Sequence, residues 1–343
     1  MKWLALLLTL LTSACARPLP PDVTELVYAT PYSPGHPFSR ADKVWMDFLR
    51  ERSGGTLVIR PSWSGALLSS DHSMEELRHG VADIGLITPI YVKGGAHLIR
   101  VQSGFYSGAR SIESQVDLYR CMAATDPGFA RELHGLKILA VQGGNLPGII
   151  TTDRPVRSLA DLQGTRIRAP TELLTGSAPI WRRTVSMPMG EVYSALAKGV
   201  LDGVVAPADT FRALHFAEVA DHFTTLEVPR GAYPARAIGE RRWNSLSDAH
   251  RKLLEEAVPV WEAALAKENR AALTTGLDYA AEKGVQVHSI SPAEQKRFEE
   301  MYLRDASSNA ARLARYGIDG DRTFRLARAS IGSNDTISCK GNI

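Results

Sequence analysis

The sequence is poor in cysteine, with only Cys15, Cys121 and Cys339 among 343 residues. None of them forms a Cys-x-x-Cys pair, which removes the usual zinc and dithiol redox motifs. Past the first residues no run of eighteen apolar side chains occurs, so no later stretch reads as a membrane-spanning helix. Charge of one sign is missing too: 40 Lys and Arg face 37 Asp and Glu. That balance offers nothing to nucleic acid or to an acidic polymer. Signature loops of catalysis are also lacking. There is no G-x-G-x-x-G behind a strand, no G-x-x-x-x-G-K-[ST], no H-E-x-x-H and no G-x-S-x-G. Nine histidines are scattered, and His215 and His222 stand too far apart for an i,i+4 chelate. The expectation is a protein with no metal, no cofactor and no catalytic residues.

What is present begins with a leader. Met1-Lys2 supplies a positive end, Trp3 to Leu11 an apolar stretch, and Thr12-Ser13-Ala14-Cys15-Ala16 a small-residue site. These are the three parts of a secretory signal, so residues 1–16 read as a signal peptide and the mature chain as periplasmic. Two cleavage readings compete. Ala14-Cys15-Ala16 fits an A-x-A site; Leu11-Thr12-Ser13-Ala14-Cys15 resembles a lipobox, in which Cys15 carries a lipid and anchors the chain. Either way roughly 325 residues remain, enough for two α/β lobes of ordinary size. Cys121 and Cys339 are free to pair in an oxidising compartment if the fold brings them together.

Glu25 to Thr30 reads as a strand, Tyr32 to Pro37 as a loop, and Ala41, Val44, Trp45, Phe48 and Leu49 as one face of a helix with Ser39 as its cap. Thr56 to Arg60 reads as the next strand. This is the grammar of a mostly parallel sheet covered by helices. The unit then recurs. Leu77-Arg-His-Gly-Val-Ala-Asp83 and Leu196-Ala-Lys-Gly-Val-Leu-Asp202 are each followed by a short apolar strand. Gly80 and Gly199 are placed to close a helix in the left-handed conformation without a Cβ penalty. Two similar lobes follow from that repeat. Beyond Asp248 the apolar stripe from Leu253 to Tyr279 predicts a long helix kinked at Pro259, and Ser291-Pro292 opens another.

The stretch Pro155 to Pro170, then Met187-Pro-Met-Gly-Glu-Val-Tyr and Gly199-Val-Leu-Asp-Gly203, resembles the solute-binding proteins of TRAP transporters, the tripartite ATP-independent periplasmic systems. The likeness runs from about 25 to 305. It implies an α/β fold of the type II periplasmic-binding-protein kind, with two domains, crossover strands and a long helix spanning both. The expected division is lobe I at 25–148 plus 234–275, lobe II at 149–233 plus 276–330, and a polar tail at 331–343 with little packing. The resemblance further implies a small organic acid held between the lobes and delivered to the permease membrane subunits. Some members pair through terminal helices, so a homodimer is allowed. A receptor for an ATP-driven importer and an exported hydrolase stand as the alternative readings.

Arg168 matches the family arginine that grips a ligand carboxylate. Its planar fork suits both carboxylate oxygens, whereas spacing alone would leave it a strand-end surface residue like Arg60. Weaker candidates surround it. His36 sits in the first β-to-α loop, where α/β sheets place ligands. Thr88 and Tyr91 follow the strand Ile84 to Ile87, Asn145 lies on a crossover between lobes, and Trp63 lines the cleft or caps a core. Glu191 is explained by the helix dipole, while Tyr193 only matches the family helix. One departure matters: family members often carry a polar residue just before the proline after Asp-Gly. Here Asp202-Gly-Val-Val-Ala-Pro207 is apolar, which points to a ligand with an apolar body and shifts specificity to Asp209 and Phe211.

Overall fold

The computed structural model describes residues 20, 22–92, 94–169 and 183–340. The leader with Cys15 lies outside these residues. Strand β1 (Thr24–Ala29) ends fully buried at Tyr28 and Ala29. Helix α1 (Pro37–Arg52) follows, and His36, not Ser39, is its cap. Pro37 explains the shift, since a proline at the first helical position has no N–H to satisfy. Strand β2 (Leu57–Ser62), α2 (Ser73–His79) and β3 (Ile84–Leu86) come next. Helices α3 (His97–Gln102), α4 (Ile112–Thr125) and α5 (Gly128–Glu132) lead to β4 (Leu136–Gln142). The chain then forms β5 (Gly148–Thr151), β6 (Ile167–Arg168), α6 (Met189–Ala197) and β7 (Gly203–Ala206). After α7 (Thr210–Ala213) and β8 (His222–Thr224) it returns as β9 (Tyr233–Gly239). Helices α8 (Glu240–Ser245), α9 (Asp248–Glu256) and α10 (Val258–Glu282) precede β10 (Gln286–His288). Helices α11 (Pro292–Ala311) and α12 (Gly320–Ser330) complete the order.

These strands build two five-stranded sheets, β2-β1-β3-β9-β4 and β10-β8-β5-β7-β6. Strand β9 runs antiparallel to both its neighbours in the first sheet, and β5 does so in the second. Each is the strand that has just crossed from the other sheet. The expected α/β class, with crossover strands and a helix spanning both lobes, is therefore what forms. Helix α10, about 37 Å long at 1.5 Å per residue, packs on α1 of the first lobe and α7 of the second. Trp45 and Trp261 stack at 3.8 Å to join it to α1. At Gly276 a Cβ would run into the Ala208 carbonyl and come within 2.7 Å of Asp209 Cα. Only glycine lets the helix lie that close to the second lobe.

The internal repeat is structural. Gly80 and Gly199 both take positive φ, 80° and 64°, and close α2 and α6. Asp83 Oδ2 then accepts the Val27 N–H at 2.8 Å, and Asp202 Oδ2 accepts the Arg166 N–H at 2.7 Å. In each lobe the aspartate ties the incoming strand to its parallel neighbour at the same register, with Tyr28 beside Ile84 and Ile167 beside Gly203.

Three expectations are corrected. The long helix does not kink at Pro259: it divides at Ala257, and Pro259 falls in the first turn of α10, where no donor is needed. Residues 276–330 do not all join lobe II. Helix α11 opens against it, Glu294 accepting the Leu159 N–H at 2.7 Å, but packs along α3, while α12 packs on α4. The tail is also held. Cys121 and Cys339 form a disulfide with Cα atoms 5.4 Å apart, and the Asp335 carboxylate accepts the N–H groups of Arg110 and Ser111 at 2.6 and 2.8 Å. Its polar composition hid a covalent anchor and a carboxylate cap.

Candidate ligand-binding site

Between the two sheets lies a cavity of about 120 Å³. Arg168 reaches its wall from β6, an edge strand of two residues. Asp202 holds the strand's approach twice, by the Arg166 backbone and by an ion pair to the Arg166 guanidinium at 2.6 Å. Ile167 turns into the core and Arg168 follows, 0% exposed. Its Nη2 donates to Tyr91 Oη at 2.6 Å and to the Met187 carbonyl at 2.9 Å, and Nε donates to the same carbonyl at 3.0 Å. The remaining nitrogen, Nη1, is buried and has no partner among the described residues. Tyr91 is carried there by the short 3₁₀ turn Pro89–Tyr91 that follows β3. One lobe supplies the guanidinium and the other its phenol.

His36 lines the same cavity. Its Nδ1 accepts the Phe38 N–H at 3.2 Å and its ring stacks on Tyr32 at 4.0 Å. Burial pushes its pKa down to about 3, with Arg236 and Arg40 adding to the effect. The ring is therefore neutral, and with Nδ1 accepting, the proton belongs on Nε2. Asp209 is a cavity residue as well. Burial pushes its carboxyl up, while Arg230 and a 3.2 Å hydrogen bond from Asn145 draw it back. Asn145 itself does not line the cavity; it braces Asp209 and donates to the Asn269 carbonyl of α10 at 2.8 Å. Arg230 crosses over this corner, donating to the Asn145 carbonyl at 3.3 Å. Gly144 makes room, because a Cβ there would come within 2.7 Å of Arg230 Nε.

Three predicted residues are placed elsewhere. Thr88 gives its hydroxyl to the Ser70 carbonyl and faces the adjoining mouth of the cleft, beside Tyr193. Trp63 packs edge-on against Tyr28, with ring centres 6.1 Å apart, at the margin of the first core. Phe211 packs in the second core against Phe223 and is not among the residues that line the cavity. Asp209, two residues before it, is the one of that pair that reaches the cavity wall. Glu191 remains a first-turn residue of α6, and Tyr193 donates to Glu218 at 3.1 Å. Conversely, Tyr32, Gln102, Arg230 and Tyr233 line the cavity without having been singled out. Arg230 had a signal, a lone cation between Pro229 and Gly231 on a crossover; Gln102 had none.

The walls between these polar groups are largely apolar, with Phe38, Ile90, Met189, Val205 and Val228. Val205 occupies the stretch before Pro207 that departs from the family pattern. Arg168 therefore brings a buried cation, one of whose donors has no partner among the described residues, to an otherwise largely apolar wall.

Comparison with known proteins agrees with this architecture. The profile of the bacterial extracellular solute-binding protein family 7, DctP, matches residues 28–310. A solute-binding protein of Chromohalobacter salexigens is 24% identical over 290 residues, covering 79% of this chain and 81% of that one. A TRAP solute-binding protein from Rhodoferax ferrireducens T118, solved with copurified benzoate, superposes with a TM-score of 0.79 at 22% identity, over 90% of this chain and 97% of that one. A marine metagenome TRAP protein specific for aromatic acid ligands, solved with 3-hydroxybenzoate, gives 0.78 at 23% identity, over 90% and 97%. With its two crossed sheets, spanning helix and matched motif, the chain belongs to the bacterial extracellular solute-binding proteins of family 7, the solute receptors of TRAP transport.

Proposed function

We propose that this protein captures a small organic acid in the cavity between its lobes and delivers it to the TRAP permease subunits without altering it. The carrying observation is Arg168 Nη1, a buried cationic donor that has no acceptor among the described residues. Leaving a buried charge without its counter-ion costs on the order of 3–5 kcal/mol, and a carboxylate removes that cost. Ligands of similar folds support the reading: benzoate in one relative and 3-hydroxybenzoate in another. His36, Tyr91 and Asp209 complete the polar contacts, with Asn145 acting through Asp209.

Delivery needs opening and closing. The chain passes between sheets three times, from Gln142 to Gly148, from Thr224 to Tyr233 and from Gly239 to Gln286 by way of α10, and the first two segments are the hinges about which the lobes close. The protein works in the periplasm, and mass spectrometry of the membrane fraction distinguishes a lipidated Cys15 from a free chain.

A thermal-shift screen against organic acids tests the proposal. An acid present at 100 times its Kd should stabilise the protein by about 2.7 kcal/mol, and Arg168→Gln should abolish the shift. If no acid stabilises the wild type, or the variant responds equally, the proposal is wrong.

A further inference from the structure

Two side chains on the cavity wall keep a buried polar atom without a partner among the described residues, and the two are of opposite kind. In Arg168 it is Nη1, a donor; in Gln102 it is Oε1, an acceptor. Gln102 sits fully buried at the last position of α3. Its amide nitrogen donates to the Ala232 carbonyl at 2.9 Å. That bond fixes which way the amide faces, because the carbonyl can accept only from nitrogen. Oε1 is left as the idle end. A buried acceptor with no donor is destabilising until something supplies one.

We infer that the ligand is an organic acid that also carries one hydrogen-bond donor, an O–H or N–H, on a compact apolar body, and that Gln102 reads that donor. The inference rests on the carboxylate reading of Arg168. Size limits the body: about 120 Å³ is of the order of the ~150 Å³ apolar cavity that holds one benzene. Phe38, Ile90, Val205 and Val228 favour carbon over hydroxyl along the walls. At Gln102 a second carboxylate fits poorly, since Oε1 would present oxygen lone pairs to it, and Arg230, the other cation on the wall, already acts on Asp209. A site built to bond a substrate donor rejects an analogue that lacks it, because the site's own polar group is then stranded.

Calorimetric titration of the mature protein with benzoate, the three hydroxybenzoates, pyrrole-2-carboxylate and 3-methoxybenzoate tests this. The best donor-bearing acid should bind at least about tenfold tighter than both benzoate and the methoxy ether. Gln102→Met should erase that advantage and leave benzoate within about threefold. Equal wild-type affinity for benzoate and every donor-bearing acid overturns the inference without any variant, so a misfolded Gln102→Met would not shield it. Equal loss of benzoate and hydroxybenzoate in a folded Gln102→Met also overturns it, while leaving the carboxylate reading intact. If none of these acids and no other organic acid binds, the carboxylate reading itself falls and the inference falls with it.

Discussion

Among the described residues each lobe buries one arginine, and the two are treated in opposite ways. Arg236 on β9 meets Asp42: Nε donates to Oδ1 at 3.0 Å, and Nη2 lies 3.0 Å away at a poorer angle. Gln142 accepts from Nη1 at 2.6 Å, and Asp42 also takes hydrogen bonds from Tyr28 at 2.6 Å and Trp261 at 2.9 Å. Burial alone would lower the Arg236 pKa, but the Asp42 carboxylate beside it outweighs burial and holds it above its ordinary value. Arg168 has, among the described residues, only neutral acceptors, a phenol and a carbonyl. The repeat sharpens the contrast. Two residues beyond the N–H that each aspartate holds, the first lobe carries Ala29 and the second Arg168. One lobe pairs its charge inside the core, and in the other the proposed ligand would do so.

The comparison can be broken by neutralising each arginine in turn. Arg236→Met should strand Asp42 and destabilise the fold by about 3–5 kcal/mol, measured by urea unfolding. Arg168→Met should cost the fold little or nothing and remove ligand binding. If both variants lose the same stability, the two arginines are not distinct in kind.

The bridge between lobes comes next. Gly276→Val drives a side chain into the Ala208–Asp209 backbone and should cost about 1–3 kcal/mol. Affinity should fall beyond what the lost stability explains, because Asp209 moves with that backbone. An unchanged Kd would uncouple α10 from the site.

Acid should act through His36. The ring is neutral in the fold down to about pH 3, whereas an unfolded histidine takes up its proton near 6.5. Its folded value is depressed, so the contribution is fully present above about pH 6.5. It is lost as pH falls from there toward 3, at up to about 1.4 kcal/mol per pH unit. His36→Asn keeps a cap acceptor for α1 and does not titrate, so it should flatten stability over that window. A wild-type slope persisting in the variant would assign the loss to other groups.

The smallest effect separates the two aspartates. Asp202→Ala loosens β6 and should weaken ligand binding a few-fold, while Asp83→Ala leaves it unchanged. The ion pair of Asp202 is half exposed, and such pairs contribute little to stability. Affinity is therefore the readout. Equal effects on Kd would erase the asymmetry between the lobes.

Much of this is legible in the sequence itself. The repeat around Gly80 and Gly199 announced two lobes, since a left-handed helix stop followed by an apolar strand is a local matter. Arg168, His36, Tyr91 and Asp209 were readable from loop position and motif, and all four line the cavity. Phe211 packs away from the cavity, and Trp63 takes the core-capping one of its two readings, because the outward or inward course of an aromatic side chain depends on packing across distant segments. Gln102 was invisible for the same reason: its amide is fixed by Ala232, far along the chain.

The sequence alone determined the opening strand–helix–strand unit, the repeated helix with its glycine stop, the near-neutral charge and a cation at the end of a short strand. Those follow from backbone propensity and side-chain chemistry within a few residues. Tertiary structure decided which buried arginine would be paired, because Asp42 stands 194 positions from Arg236 and only the folded core brings them together. It likewise decided that the tail is bonded through Cys121 and Cys339, across a separation of 218 residues. Partners that distant in sequence meet only when the lobes close their cores, and no local pattern encodes that meeting.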